Sequence, residues 1–119
     1  MHEMSVAQNI IEIILDHVQH GAEEKVKKVR LKMGELSGIV PDSLLFCFDI
    51  LKNGSPLRNA YVDIEYVPIT AKCSSCNKTS QLEYGIFFCP SCHSSDIEIL
   101  TGKELNIVDI ELDDGKEFR

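Results

Sequence analysis

No run of apolar residues in this 119-residue chain is long enough to span a membrane or to act as an export signal. The apolar stretch near the start is broken by Gln8, Asn9, Glu12 and Asp16, which excludes both readings. The five cysteines are odd in number and do not fit a fully paired disulfide framework. Without an export signal the thiols are expected in a reducing cytoplasm, where paired cysteines more often hold metal than form disulfides. Basic residues are also scarce: 12 Lys and Arg face 19 Asp and Glu, for a net charge of −7. Affinity for phosphate backbones rests on concentrated cations, so a nucleic-acid partner is not expected. No internal repeat or low-complexity segment is found beyond one doubled cysteine motif. What remains is a chain 44% apolar, ordinary for a globular protein, and sized for one modest domain or a core with an appendage.

Ser5-Val-Ala-Gln8 fits a capping box, and Ala7, Ile10, Ile11, Ile14, Leu15 and Val18 recur at helical spacing until Gly21. Val29, Leu31 and Met33 alternate with Lys28, Arg30 and Lys32, the period of a half-exposed strand. Pro41 and Asp42 open a second helix with Leu44, Cys47, Phe48 and Leu51 on one face, closed by Asn53-Gly54. Val62, Ile64 and Tyr66 alternate with Asp63 and Glu65, and Val108, Ile110 and Leu112 with Asp109 and Glu111. The outward residues of the first strand are basic and those of the other two acidic, so side by side they form cross-strand charge pairs. The expected fold is α+β: two helices packed on a three-stranded sheet, with an inserted zinc-ribbon subdomain. The α/β domain takes residues 1–70 with 101–119, and the ribbon takes 71–100. Pro68, Ala71 and Thr101-Gly102 lie near the hinges.

The ribbon reading rests on Cys73-Ser-Ser-Cys76 and Cys89-Pro-Ser-Cys92, two C-x2-C turns with twelve residues between them. Two facing turns of this kind place four thiolates at the corners of a tetrahedron and leave no open position, the pattern of a structural zinc. Bound zinc and four thiolates would take the net charge to −9. Redox cycling fits poorly, because neither pair opens a helix after a strand. Haem attachment through Cys89-Pro-Ser-Cys92-His93 would require export and would leave the first pair idle. Asn77 and His93 each follow the second cysteine of a pair, a place that favours left-handed backbone, where Gly, Asn and His are tolerated. His93 has a sharper alternative as a replacement ligand on zinc. Cys47 reads as a small core residue, and His17 and His20 as solvated surface residues.

The first residues, Met1-His2-Glu3-Met4-Ser5, carry a second candidate metal site. Bulky His2 is expected to leave Met1 and its free amine in place. That amine, the amide and imidazole of His2 and the amide of Glu3 can form a planar nitrogen set, which suits Ni(II) or Cu(II) rather than zinc. The plain alternative is a frayed terminus. No nucleophile–base pair and no open catalytic zinc site are present, so an enzyme is not expected.

Met1-His2-Glu3-Met4-Ser5, then Met33-Gly34-Glu35-Leu36-Ser37 and the C-x2-C-x12-C-P-x-C ribbon together resemble the HypA/HybF hydrogenase-maturation proteins. The likeness runs over essentially the whole chain, in the same order. It implies a cytoplasmic nickel metallochaperone that carries Ni(II) toward the active-site subunit of [NiFe]-hydrogenases, and in some organisms toward urease. It implies a nickel site at His2 with Glu3 beside it, and zinc held by Cys73, Cys76, Cys89 and Cys92. The partners it implies are a nickel-handling GTPase and the hydrogenase large-subunit precursor, with the chain a monomer or weak homodimer. Some relatives flank both cysteine pairs with His and exchange zinc ligands in response to acid or nickel. Here Asn77 holds the first of those places, which favours a plain four-thiolate site. A zinc-ribbon interaction adaptor that carries no nickel is the competing function.

Overall fold

The computed structural model describes residues 2–113 and 117–118, and the fold is α+β. Helix α1 (Glu3–His17) leads through a 3-10 turn (Glu23–Lys25) into strand β1 (Val26–Gly34), helix α2 (Pro41–Lys52) and strand β2 (Tyr61–Val67). Strands β3 (Ile69–Cys73), β4 (Thr79–Leu82), β5 (Ile97–Thr101), β6 (Leu105–Leu112) and the short β7 (Glu117–Phe118) complete the order. One sheet runs β2-β1-β6-β7 and the other β4-β3-β5, so β7 adds a fourth strand to the three read from alternation.

The described residues divide into two compact units. The first holds the chain up to Leu31, Gly38–Ile64 and the residues from Ile107 onward. The second holds Lys32–Ser37 and Glu65–Asn106, a longer stretch than the 71–100 segment marked by the cysteines.

In the first unit α1 and α2 pack on each other. Val6, Ala7, Ile10, Ile11 and Ile14 of α1 are buried, as the helical spacing requires, with Leu44 and Phe48 of α2. Val29, Leu31, Val62 and Ile110 supply the buried side of the strands. Pro41 occupies the first turn of α2, where a missing N–H costs nothing, and Asn53 caps the other end. Cys47 is half-buried.

The ends of α1 differ from the capping-box reading. The helix starts at Glu3 with His2 as its N-cap, so Ser5 lies inside the first turn and no side chain caps the start. An earlier start brings an acidic residue into the first turn, where the helix dipole favours it. The helix also stops at His17: Val18 turns to extended backbone and is buried, leaving Gly21 in the loop beyond.

Placing β1 between β2 and β6 puts the basic strand between the two acidic ones. Lys28 pairs with Glu111 at 3.2 Å, and Arg30 lies 3.6 Å from Asp63 and 3.8 Å from Asp109. In the second unit Lys32 lies 3.8 Å from Glu65. Exposed pairs contribute little individually, but Asp109 is only 9% exposed and has the Arg30 guanidinium beside it. Arg30→Ala is expected to cost about 1 kcal/mol, measured by urea unfolding, and Asp109→Asn in the same background to recover part of it.

The second unit has a small core of Ile69, Ala71 and Leu82, packed against by Leu36, Ile97 and Ile99. Leu36 comes from the Met33-Gly34-Glu35-Leu36-Ser37 segment, whose backbone is tied into this unit. The Gly34 N–H donates to the Glu104 carbonyl at 2.8 Å, Glu35 to Val67 at 3.1 Å and Leu36 to Gly102 at 2.6 Å. A Cβ on Gly34 would fall on the Gly102 carbonyl and 2.7 Å from the Lys103 nitrogen, so only glycine lets these backbones meet.

Candidate metal centres

The two cysteine turns are built alike. In the first, the Asn77 N–H donates to the Cys73 carbonyl at 2.8 Å and the Cys73 N–H to Lys78 at 2.9 Å. In the second, His93 donates to Cys89 at 2.9 Å and Cys89 to Ser94 at 2.8 Å. Closing each turn this way requires left-handed backbone just after the second cysteine, and Asn77 (φ 61°) and His93 (φ 64°) both adopt it. The backbone reading of these two residues therefore holds. The His93 ring lies beside Phe88, with ring centroids 6.0 Å apart.

The turns bring all four sulfurs within 4.8 Å of one another. Cys73 and Cys92 approach to 3.5 Å and Cys76 and Cys89 to 3.6 Å, so each close pair bridges the two turns. Tetrahedral zinc with Zn–S bonds near 2.3 Å needs sulfurs about 3.8 Å apart, and the cluster fits that ion. Cys73 and Cys89 are buried, Cys76 half-buried and Cys92 exposed. The Cys92 and Ser91 backbone N–H groups and neighbouring thiols hold the Cys89 thiol down at about 6. The Cys76 N–H, with the Cys92 thiol and the Ser75 N–H, likewise lowers Cys73. At Cys92 the Ser94 N–H lowers the value, but the thiols of Cys73, Cys89 and Cys76 together with burial push it up to about 12. The turn amides thus favour thiolate, while crowded sulfurs resist carrying a full set of negative charges. A divalent cation resolves that conflict. Four thiolates with no open position define a structural zinc, which here would close the two turns against each other.

The second candidate site begins at α1. His2 is exposed and stands at the N-cap, its carbonyl accepting the Val6 N–H at 3.0 Å. Met1, whose amine completes the expected nitrogen set, lies outside the described residues. Glu3 has a role that sequence reading missed. Its Oε2 accepts the Val40 N–H at 3.0 Å, joining the first turn of α1 to the N-cap of α2. This bond, the residue's own N–H and the nearby His2 imidazole hold its carboxyl below the usual carboxylate range. No local pattern signals a contact between residues 37 positions apart. His17 donates from, or accepts at, no second histidine: its Nδ1 meets the Ile13 carbonyl at 2.8 Å, while His20 lies 3.4 Å from Glu23. Both are exposed, as expected.

Four cysteines gathered from two turns at metal-ligating distances are the makeup of a metal-binding protein. A family model described as hydrogenase/urease nickel incorporation, metallochaperone, hypA matches residues 1–112. The hydrogenase maturation factor HypA of Desulfatibacillum aliphaticivorans is 40% identical over 120 aligned residues, covering 100% of this chain and 92% of that protein. The HypA of Desulfosudis oleivorans is 41% identical over 113 residues, covering 94% and 98%. In fold, the solution structure of the Ni metallochaperone HypA from Helicobacter pylori superposes with a TM-score of 0.64 at 24% identity, covering 94% of this chain and 97% of that one. The chain belongs to the HypA family of hydrogenase-maturation nickel metallochaperones. Its cofactor chemistry is structural zinc on four cysteines with nickel as cargo, and its family is one of metallochaperones rather than enzymes. No helix among the described residues is long and apolar enough to cross a membrane.

Proposed function

We propose that this protein binds Ni(II) through the Met1 amine, the amide and imidazole of His2 and the amide of Glu3. It then passes the ion to a hydrogenase large-subunit precursor in the cytoplasm, together with a nickel-handling GTPase. In organisms with urease the same cargo serves that enzyme. The nickel site belongs to the α/β portion (1–70 with 101–119), while Cys73, Cys76, Cys89 and Cys92 hold the zinc that staples the ribbon (71–100). The observation that carries this reading is the family match beginning at residue 1, together with the exposed N-cap position of His2. N–H groups in a first helical turn lack partners within the helix, so the His2 and Glu3 amides are open to deprotonation by a metal. Such a site releases protons as it fills and yields its ion in acid, which suits a carrier that must let go.

Nickel titration by calorimetry on protein with a native start tests the reading. Extending the N-terminus by a few residues is expected to weaken Ni(II) binding as severely as His2→Ala, by roughly 100-fold, with zinc content unchanged. Unaltered nickel affinity in the extended protein overturns the terminal-amine site. Indifference of the native protein to nickel favours the zinc-ribbon adaptor.

A further inference from the structure

Four large apolar side chains lie exposed within five residues of the cysteine-bearing unit: Tyr84 at 73%, Phe87 at 43%, and Ile86 and Phe88 at 42% each. They follow β4, an edge strand of the sheet β4-β3-β5 that pairs only with β3 on its inner side. Beside that edge is a depression of about 210 Å³ lined by Gln81, Leu82, Glu83, Ile86, Phe88 and Pro90. The stretch Tyr84–Ser95 contains no Asp, Glu, Lys or Arg, in a chain that is 26% charged.

We infer that β4 and this depression form a docking site for an extended, uncharged apolar segment of a partner protein, added as a further strand. The outer edge of β4 offers backbone donors and acceptors to a strand, and an exposed edge of this kind is a template for pairing. Side chains on a docked strand alternate between faces, so every second one enters the depression against Leu82, Ile86 and Phe88. The apolar lining, with Glu83 as its one charged residue, selects the partner. An acidic side chain would be desolvated there beside Glu83 with no cation in the lining, whereas a Val or Ile meets only apolar walls. A second copy of this chain is the poorer occupant, because each copy carries a net charge of −7 and places Glu83 at the rim. The site does not depend on the nickel reading.

The zinc-loaded full chain, nitrogen-labelled for NMR, is titrated with an end-blocked peptide of about eight residues alternating valine and serine. Amide shifts are expected in Thr79–Leu82 and Ile86–Phe88, saturating below millimolar peptide. Glutamate in place of valine should weaken binding, as should Phe88→Ser, by at least about fivefold at unchanged zinc content. N-methylation of alternate amides on one peptide edge should abolish it, while methylation of the other edge leaves it intact. Equal binding by both methylated peptides overturns strand addition. Absence of saturation, shifts confined to other residues, or concentration-dependent shifts in β4 without peptide overturn the proposed partner.

Discussion

Stripping zinc from the protein collapses the unit formed by Lys32–Ser37 and Glu65–Asn106, while the helical unit keeps its fold. The expectation follows from the small size of the second unit's apolar cluster, Ile69, Ala71 and Leu82 with the partly buried Leu36, Ile97 and Ile99 packed against it. A core that small cannot offset the conformational entropy of ordering its chain, and bound zinc in such modules contributes on the order of 10–16 kcal/mol. Chelation followed by amide NMR should show lost dispersion for the second unit and retained dispersion for α1 and α2. Cys89→Ser should have the same effect without chelator. A second unit that stays ordered after stoichiometric zinc removal would contradict this account. The pH dependence has a definite sign. A bound zinc ion holds its thiol ligands deprotonated well below the ordinary thiol range, so the stability it lends is full at high pH and falls as pH falls. If all four thiols regain protons on release, apparent zinc affinity drops by up to roughly 10⁴ per pH unit below neutrality. Zinc retention measured across a pH series down to 5 tests this directly.

Gly34→Ala is expected to be the most damaging alanine substitution among the described glycines. The new carbon would meet backbone of the β5–β6 connection, the Gly102 carbonyl and the Lys103 nitrogen, rather than a side chain that could swing away. Relief requires separating the backbones and lengthening the bonds from Gly34 to Glu104 and from Leu36 to Gly102. We expect a loss of roughly 3 kcal/mol or more, at the upper end for overpacking, with weakened zinc retention as a second symptom because Leu36 leaves its core. Gly21→Ala is the control: unlike Gly34 it has a positive φ, but open space surrounds it, so only backbone strain of about 1 kcal/mol is expected. Thermal unfolding of both variants distinguishes them, and equal losses would refute the close-approach argument.

Much of the fold was legible because its signals are local. Apolar residues at helical spacing identified the buried face of α1, and alternation of Lys and Arg with Val, Leu and Met identified β1. The opposite charges on the flanking strands even indicated which strands are neighbours, and Arg30 meets both Asp63 and Asp109. The zinc ligands were legible for the same reason, since a C-x2-C turn carries half of a metal site within one loop. The ends of α1 were misread. Ser5 and Gln8 satisfy a capping pattern, yet the helix begins at Glu3, whose carboxylate reaches the Val40 N–H on α2. A local motif lost to a contact that exists only after folding.

The sequence by itself determined much of the chemistry of this protein: which four cysteines can hold a metal, which faces are apolar, and which strands carry which charge. These follow from residue type and short-range spacing, and spacing along a chain is fixed before the chain folds. Only the tertiary structure decided why Met33-Gly34-Glu35-Leu36-Ser37 reads as it does, where Glu3 finds its partner, and how the ribbon edge comes to lie beside a largely apolar hollow. Those facts depend on backbones brought together from distant positions, and no periodicity in the sequence records a distance through space.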